Sequence, residues 1–102
     1  MIQLDWYIPN TVPYVKLTGN VTEKDITIGD RTLSRVLDKA QSDKIYLMLD
    51  FSGLMSLPSI TDMVKLRWAK HPKLDKIIVI GSREPFTLTA SIVAQLFRKE
   101  VV

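Results

Sequence analysis

The chain has no cysteine and a single histidine, His71, in 102 residues. Without thiols there can be no disulfide framework, no thiolate metal site and no cysteine nucleophile. One histidine excludes a His-rich metal site and leaves little material for a His-based triad. No Gly-rich run precedes Lys-Ser/Thr and no GxGxxG occurs, which argues against nucleotide hydrolysis and dinucleotide binding. The longest apolar runs, 45–49 and 77–80, are far too short to span a bilayer. Met1-Ile-Gln-Leu-Asp5 is not a basic region followed by an apolar stretch, so no secretion signal is expected. Repeats, low-complexity tracts and linker-like stretches are also missing. What remains is 46% hydrophobic and 25% charged, the composition of one folded domain. The expectation is a cytoplasmic domain, without membrane insertion, bound metal or cofactor.

The net charge of +3 is unevenly placed. Between Lys65 and Lys76, five cations (Lys65, Arg67, Lys70, Lys73, Lys76) face one acid, Asp75, while the remaining nine cations and ten acids leave −1. An anionic partner would be drawn to such a cluster. Four of these charges, however, lie in or just after the last turn of a predicted helix, where cations offset the negative dipole end. No aromatic platform is interleaved and no recognition helix is evident, so nucleic acid is not the expected partner.

Ile2, Leu4, Trp6 and Ile8 alternate with more polar neighbours at strand spacing. Turn chemistry at 9–13 interrupts them, and 14–17 resumes the pattern as the second arm of a hairpin. Thr22, with Asp25 three residues on, resembles a helix N-cap box. Ile26, Gly29, Leu33, Val36, Leu37 and Ala40 then share a helical face. The 44–51 segment is apolar with little alternation, as expected of a strand covered on both faces. Asp50-Phe51-Ser52-Gly53 should close it. A helix capped by Ser59 should run to about Lys70 and stop before His71-Pro72. The segment 74–80 reads as a second buried strand, and Phe86, Ala90, Val93, Leu96 and Phe97 as the stripe of a last helix. Val101-Val102 looks like the first step of another strand. The order is ββαβαβα(β), an α/β layered domain around a mostly parallel sheet.

Right-handed crossovers would bring Asn20 and Thr22, Asp50 and Ser52, Ser56 to Ser59, and Ser82, Arg83 and Glu84 to the carboxyl edge of that sheet. The residues flanking Pro58 and Arg83 should emerge there side by side. Asp50 and Glu84 could be read as a carboxylate pair, but no histidine or metal-ligand cluster lies nearby. An Asp ending a strand more often bonds its own backbone in a turn. Ser59 at a helix start could receive an anion or a phosphate. The preferred reading is a plain cap, contributing about 1 kcal/mol. On the 59–70 helix, Ile60, Met63 and Val64 share a face that Trp68 extends, Leu66 points away, and Arg67 falls within it. Leu66 or Trp68 is therefore expected to be partly exposed, rimmed by Lys65, Arg67 and Lys70. Two explanations remain open: a protein contact patch, or packing against further C-terminal chain.

The segment Leu49-Asp50-Phe51-Ser52-Gly53-Leu54-Met55-Ser56-Leu57-Pro58-Ser59, with the helix exit and strand from His71 to Gly81, resembles the STAS domain, the anti-sigma-factor antagonist or SpoIIAA-like fold. That family has an Asp-Leu-Ser-Gly-like turn after a strand, then Asp-Ser-Ser-Gly at a helix start. Asp50 to Gly53 matches the first element, and Ser59 falls on the first serine of the second. Pro58 stands where the family has the acid, and Ile60-Thr61 where it has Ser-Gly. The resemblance implies a non-catalytic regulatory module and makes Ser59 the possible phosphoacceptor, with Thr61 a weaker substitute. The implied partner is a protein of the anti-sigma or kinase-like kind, or a second copy in a homodimer. Its expected contacts are Ser56, Ser59, Thr61, Asp62, Lys65, Leu66 and Trp68. The family's final strand and helix are not expected in 1–102, so the domain is minimal or truncated, or a partner completes the sheet. The alternative is a small-ligand domain of the same fold, carrying a lipid or nucleotide at the carboxyl-edge loops and under the last helix. An enzyme is not expected, since no nucleophile–base pair is present.

Overall fold

The computed structural model describes residues 1–58, 66–81, 86, 91, 92, 95, 100 and 101. In chain order these form β1 (Ile2–Ile8), β2 (Val12–Asn20), α1 (Glu23–Lys39), β3 (Ile45–Ser56), a 3-10 turn (Trp68–Lys70), β4 (Leu74–Ile80) and β5 (Glu100–Val101). Phe86, Ser91, Ile92 and Gln95 are helical. The strands make one sheet in the order β1-β2-β3-β4-β5, antiparallel between β1 and β2 and parallel elsewhere. It is an α/β fold on a mixed sheet that opens with a hairpin.

Local chemistry accounts for the hairpin and the helix. Asn10 adopts a left-handed backbone, with φ 63°, a conformation its short polar side chain tolerates. The Thr11 N–H closes the turn on the Ile8 carbonyl at 3.1 Å. Thr22 Oγ1 accepts the Asp25 N–H at 3.1 Å while Asp25 accepts the Thr22 N–H at 3.0 Å, a complete capping box. Those bonds hold the Asp25 carboxyl below its usual range, the backbone bond from Thr22 most of all. At the other end, Lys73 Nζ donates to the carbonyls of Asp38 at 3.2 Å and Ala40 at 2.9 Å. It thereby satisfies acceptors that the helix leaves over. His71 Nε2 meets Asp38 at 2.7 Å beside them.

Ile26, Leu33 and Leu37 of α1 join Val15, Leu17, Ile45, Leu47, Leu49 and Phe51 in one core. Leu66, Trp68, Ala69 and Phe86 belong to the same core, so these described residues of the later connections pack on the face that α1 covers. Phe86 meets Phe51 with ring centroids 6.5 Å apart, in the edge-to-face arrangement that aromatic quadrupoles favour. The expectation that β3 is covered on both faces is therefore corrected among the described residues. Tyr46, Met48 and Ile78 on its other face are only half-buried, and Ile80 is 38% exposed. The strand order explains this: successive right-handed crossovers that all step the same way deposit their connections on one side.

β3 also runs past its expected end. Asp50 pairs with Lys16 and Gly53 with Thr18. Three steps of β3 thus match two of β2, and the Asp50–Gly53 turn chemistry makes a bulge instead of a stop. β4, by contrast, ends at Ile80 opposite Asp50, and Gly81 turns away at φ +65°. The two edges are not level. β2 and β3 continue beyond β4 to the Asn20–Ser56 pair, a projection of about 13 Å at the usual rise per residue of the unbulged strand β2.

Candidate functional site

The projecting ends of β2 and β3 form the carboxyl edge. The Ser56 hydroxyl donates to Asn20 Oδ1 at 2.8 Å, and the Val21 N–H donates to the Ser56 carbonyl at 3.0 Å. These bonds lock the two strand ends together just before the chain enters Leu57-Pro58. Leu54 points into the core, whereas Met55 beside it is 68% exposed. A large apolar side chain is thus held in solvent on a fixed backbone, one residue before the Ser56 that bonds Asn20.

The other expected contacts do not gather here. Leu66 is 3% exposed and Trp68 9%, so both are core residues, and the expected exposed patch on their side is corrected. A helical wheel over 59–70 misplaces them because 66 and 67 are not α-helical and a 3-10 turn follows. One α1 carboxylate fixes that segment: Asp30 Oδ1 accepts the N–H of Arg67 at 2.8 Å and of Trp68 at 3.0 Å. Ser59, Thr61, Asp62 and Lys65 lie outside the described residues, as do Ser82, Arg83 and Glu84. The basic cluster is split. Arg67 and Lys70 are exposed, Lys73 is tied to the end of α1, and Lys76 lies on β4 opposite Tyr46.

A second polar constellation lies on the face of the sheet opposite α1, just before the bulge. Asp50 is 8% exposed, yet its carboxylate is fully engaged. Oδ1 accepts the Ser52 hydroxyl at 2.6 Å and the Ser52 N–H at 2.9 Å, and Oδ2 accepts the Tyr14 hydroxyl from β2. These bonds, that from the Ser52 hydroxyl foremost, lower the carboxyl from 3.8 to about 2 against the opposing effect of burial, and Lys16 adds to the lowering. Bonds that reach the ionised form favour it in this way. The Tyr14 phenol is pushed up in turn, chiefly by its bond to Asp50. The turn bond to Ser52 is the one expected of Asp50 from sequence. The link to Tyr14 has no signal along the chain; it follows from parallel pairing, which sets Tyr14 opposite Met48 and Lys16 opposite Asp50. Chemically this is a structural clamp, because a carboxylate so acidic is a poor proton acceptor near neutrality.

Between α1 and the core face of the sheet lies a cavity of about 180 Å³. Leu4, Val15, Leu33, Leu49, Phe51 and Trp68 line it, with Asp25, Asp30 and Thr32 the polar members of its wall. This cavity lies under the first helix; the carboxyl-edge loops and the last helix, where the alternative ligand site is expected, fall largely outside the described residues. Among the described residues, no group of histidine and carboxylate side chains is placed to hold a metal, and no helix is long and apolar enough to cross a membrane. Compared with known proteins, the chain matches no family model, no curated protein and no solved structure.

Proposed function

We propose that this chain is a non-catalytic protein-interaction module of the STAS, SpoIIAA-like kind, docking a protein partner at the carboxyl edge where β2 and β3 project. The observation that carries the reading is the exposed Met55 on a bonded, bulged ribbon, beside Ser56 and four residues before Ser59 in the chain. A rigid backbone presenting an apolar anchor with adjacent polar groups is the composition of an interface centre. The partner is a protein of the anti-sigma or kinase-like class, and Ser59 is the residue such a kinase would modify. Leu66 and Trp68 drop out of the contact set because their side chains are buried. Ser56 stays, with Ser59, Thr61, Asp62 and Lys65 as its neighbours in the following segment. The ionised, fully bonded Asp50 supports the non-catalytic reading. Affinity capture with the wild type, Met55→Asp and Tyr7→Asp tests it. The same partner should be held by the wild type and by the Tyr7 variant and lost by the Met55 variant. Equal retention by all three would refute the edge as the docking surface.

One observation favours a second reading, a carrier of a small apolar ligand. An apolar cavity of about 150 Å³ suffices for a benzene-sized guest, and the cavity under α1 is of that order. Native mass spectrometry of freshly purified protein decides: a co-purifying mass that Leu33→Trp abolishes supports the carrier, and a clean mass of the chain alone excludes it.

A further inference from the structure

β1 is an edge strand whose outer side faces no other strand among the described residues. Met1 and Thr18 exchange both backbone bonds, at 2.8 and 2.9 Å, which sets the phase of the antiparallel ladder. With the register Ile2 to Leu17 through Trp6 to Pro13, Gln3 and Asp5 bond inward to β2. The N–H and C=O groups of Ile2, Leu4 and Trp6 therefore point outward. Pro13 agrees with this phase, since a residue without an N–H sits opposite Trp6, where the pair needs none.

The outward set is self-complementary about Leu4. A second β1 laid antiparallel would set Leu4 against Leu4, Ile2 against Trp6 and Trp6 against Ile2, each pair exchanging two backbone bonds. On the core face these are apolar pairs, one type aromatic with β-branched. All three side chains are only partly buried within a single copy. On the opposite face each Asp5 meets a Gln3, so no like charges are opposed. One feature resists the pairing. Asp5 Oδ1 accepts the outward N–H of Trp6 at 2.8 Å, occupying the donor that the incoming Ile2 carbonyl would need. A charge on an edge that blocks its own ladder is a common defence against strand addition.

We infer that the outer edge of β1 is a self-association site for a second copy of this chain, joined antiparallel about Leu4 into one continuous sheet, with Asp5 as the residue that restrains it. The site is at the opposite margin of the sheet from β5 and does not rest on the partner reading above.

Sedimentation equilibrium over a concentration series tests it on the wild type, Asp5→Ala, and Asp5→Ala combined with Leu4→Lys. Removing Asp5 should tighten dimerisation by about tenfold or more, because one competing charged acceptor is gone. The added Leu4→Lys change should return the protein to monomer, since two ammoniums would then oppose each other at the twofold axis. In the Asp5→Ala dimer, the Ile2 and Leu4 amides should exchange with solvent more slowly as concentration rises, a readout that needs no second substitution. Asp5→Ala associating no more tightly than the wild type would overturn the inference. So would a dimer whose Ile2 and Leu4 amides gain no protection, because that dimer is built elsewhere.

Discussion

Replacing Asp50 by Asn tests whether the clamp at the bulge holds the sheet together or merely decorates it. The amide keeps the shape and can still accept from Ser52, but the charge that strengthens all three bonds is gone. Its worth follows from the displacement of the carboxyl from 3.8 to about 2. At roughly 1.4 kcal/mol per pKa unit the ceiling is about 2.5 kcal/mol, and water reaching the exposed Ser52 brings the expectation to about 1–2 kcal/mol. The sign is fixed by the direction of the shift. A carboxyl lowered in the folded state stabilises fully above its unfolded value, and that contribution fades as the pH falls through 4 towards 2. Urea unfolding of the wild type and the variant at pH 7 and pH 2.5 should therefore give a gap that shrinks by more than half in acid. Other carboxylates titrate in both proteins and cancel in the difference. At pH 7 the gap corresponds to about 5–10 °C in melting temperature for a domain of this length. In alkaline ultraviolet titration, Tyr14 should also ionise more readily in the variant, because the carboxylate that holds its proton is gone. A gap of equal size at both pH values would refute the assignment of the stabilisation to the charge.

Three further substitutions probe packing. Gly81 and Gly19 both have left-handed backbones, at φ +65° and +68°, but a Cβ at Gly81 would lie 2.8–2.9 Å from Ser52, mostly against backbone, while one at Gly19 meets nothing within 4 Å. Alanine at Gly19 should show the conformational penalty alone, about 1–2 kcal/mol, and alanine at Gly81 roughly 2 kcal/mol more, both by urea unfolding. Trp68→Ala should lower stability by about 3–5 kcal/mol as a core truncation, and a change under about 1 kcal/mol would restore Trp68 to the surface.

Where a structural choice was made by neighbouring residues, it could be read from the chain. The alternation of Ile2, Leu4 and Trp6, the Thr22–Asp25 cap, and the uninterrupted apolar strand at Ile77 each depend on contacts a few residues apart or on a simple period. The hairpin, the α1 face and the parallel order of the central strands followed. Two readings failed for a shared reason: they needed information from another strand or segment. Asp50-Phe51-Ser52-Gly53 carries the signature of a chain reversal, yet β2 alongside captures it as a bulge, and β3 continues to Ser56. The wheel that exposed Leu66 or Trp68 assumed a continuous helix, whereas Asp30, some 37 residues earlier, seizes the Arg67 and Trp68 amides. Both apolar side chains then turn inward. Nothing near residue 67 announces that partner.

The linear strand order has a consequence for where function can lie. Crevices at the carboxyl ends of parallel strands open where the order reverses and adjacent connections leave on opposite faces. Among the described strands the order never reverses, so that general reason for placing a site at the rim is absent. The rim gains its importance here from unequal strand lengths: β4 stops opposite Asp50 while β2 and β3 continue, and Gly81 packs against Ser52 where they part. The segment after Ile80 thus starts about 13 Å short of the segment after Ser56, at the usual rise along β2. A partner engaging the Met55 end need not touch the Gly81 turn at all. The two can be separated by experiment, since a surface change at Met55 should leave folding intact while a methyl at Gly81 damages the fold.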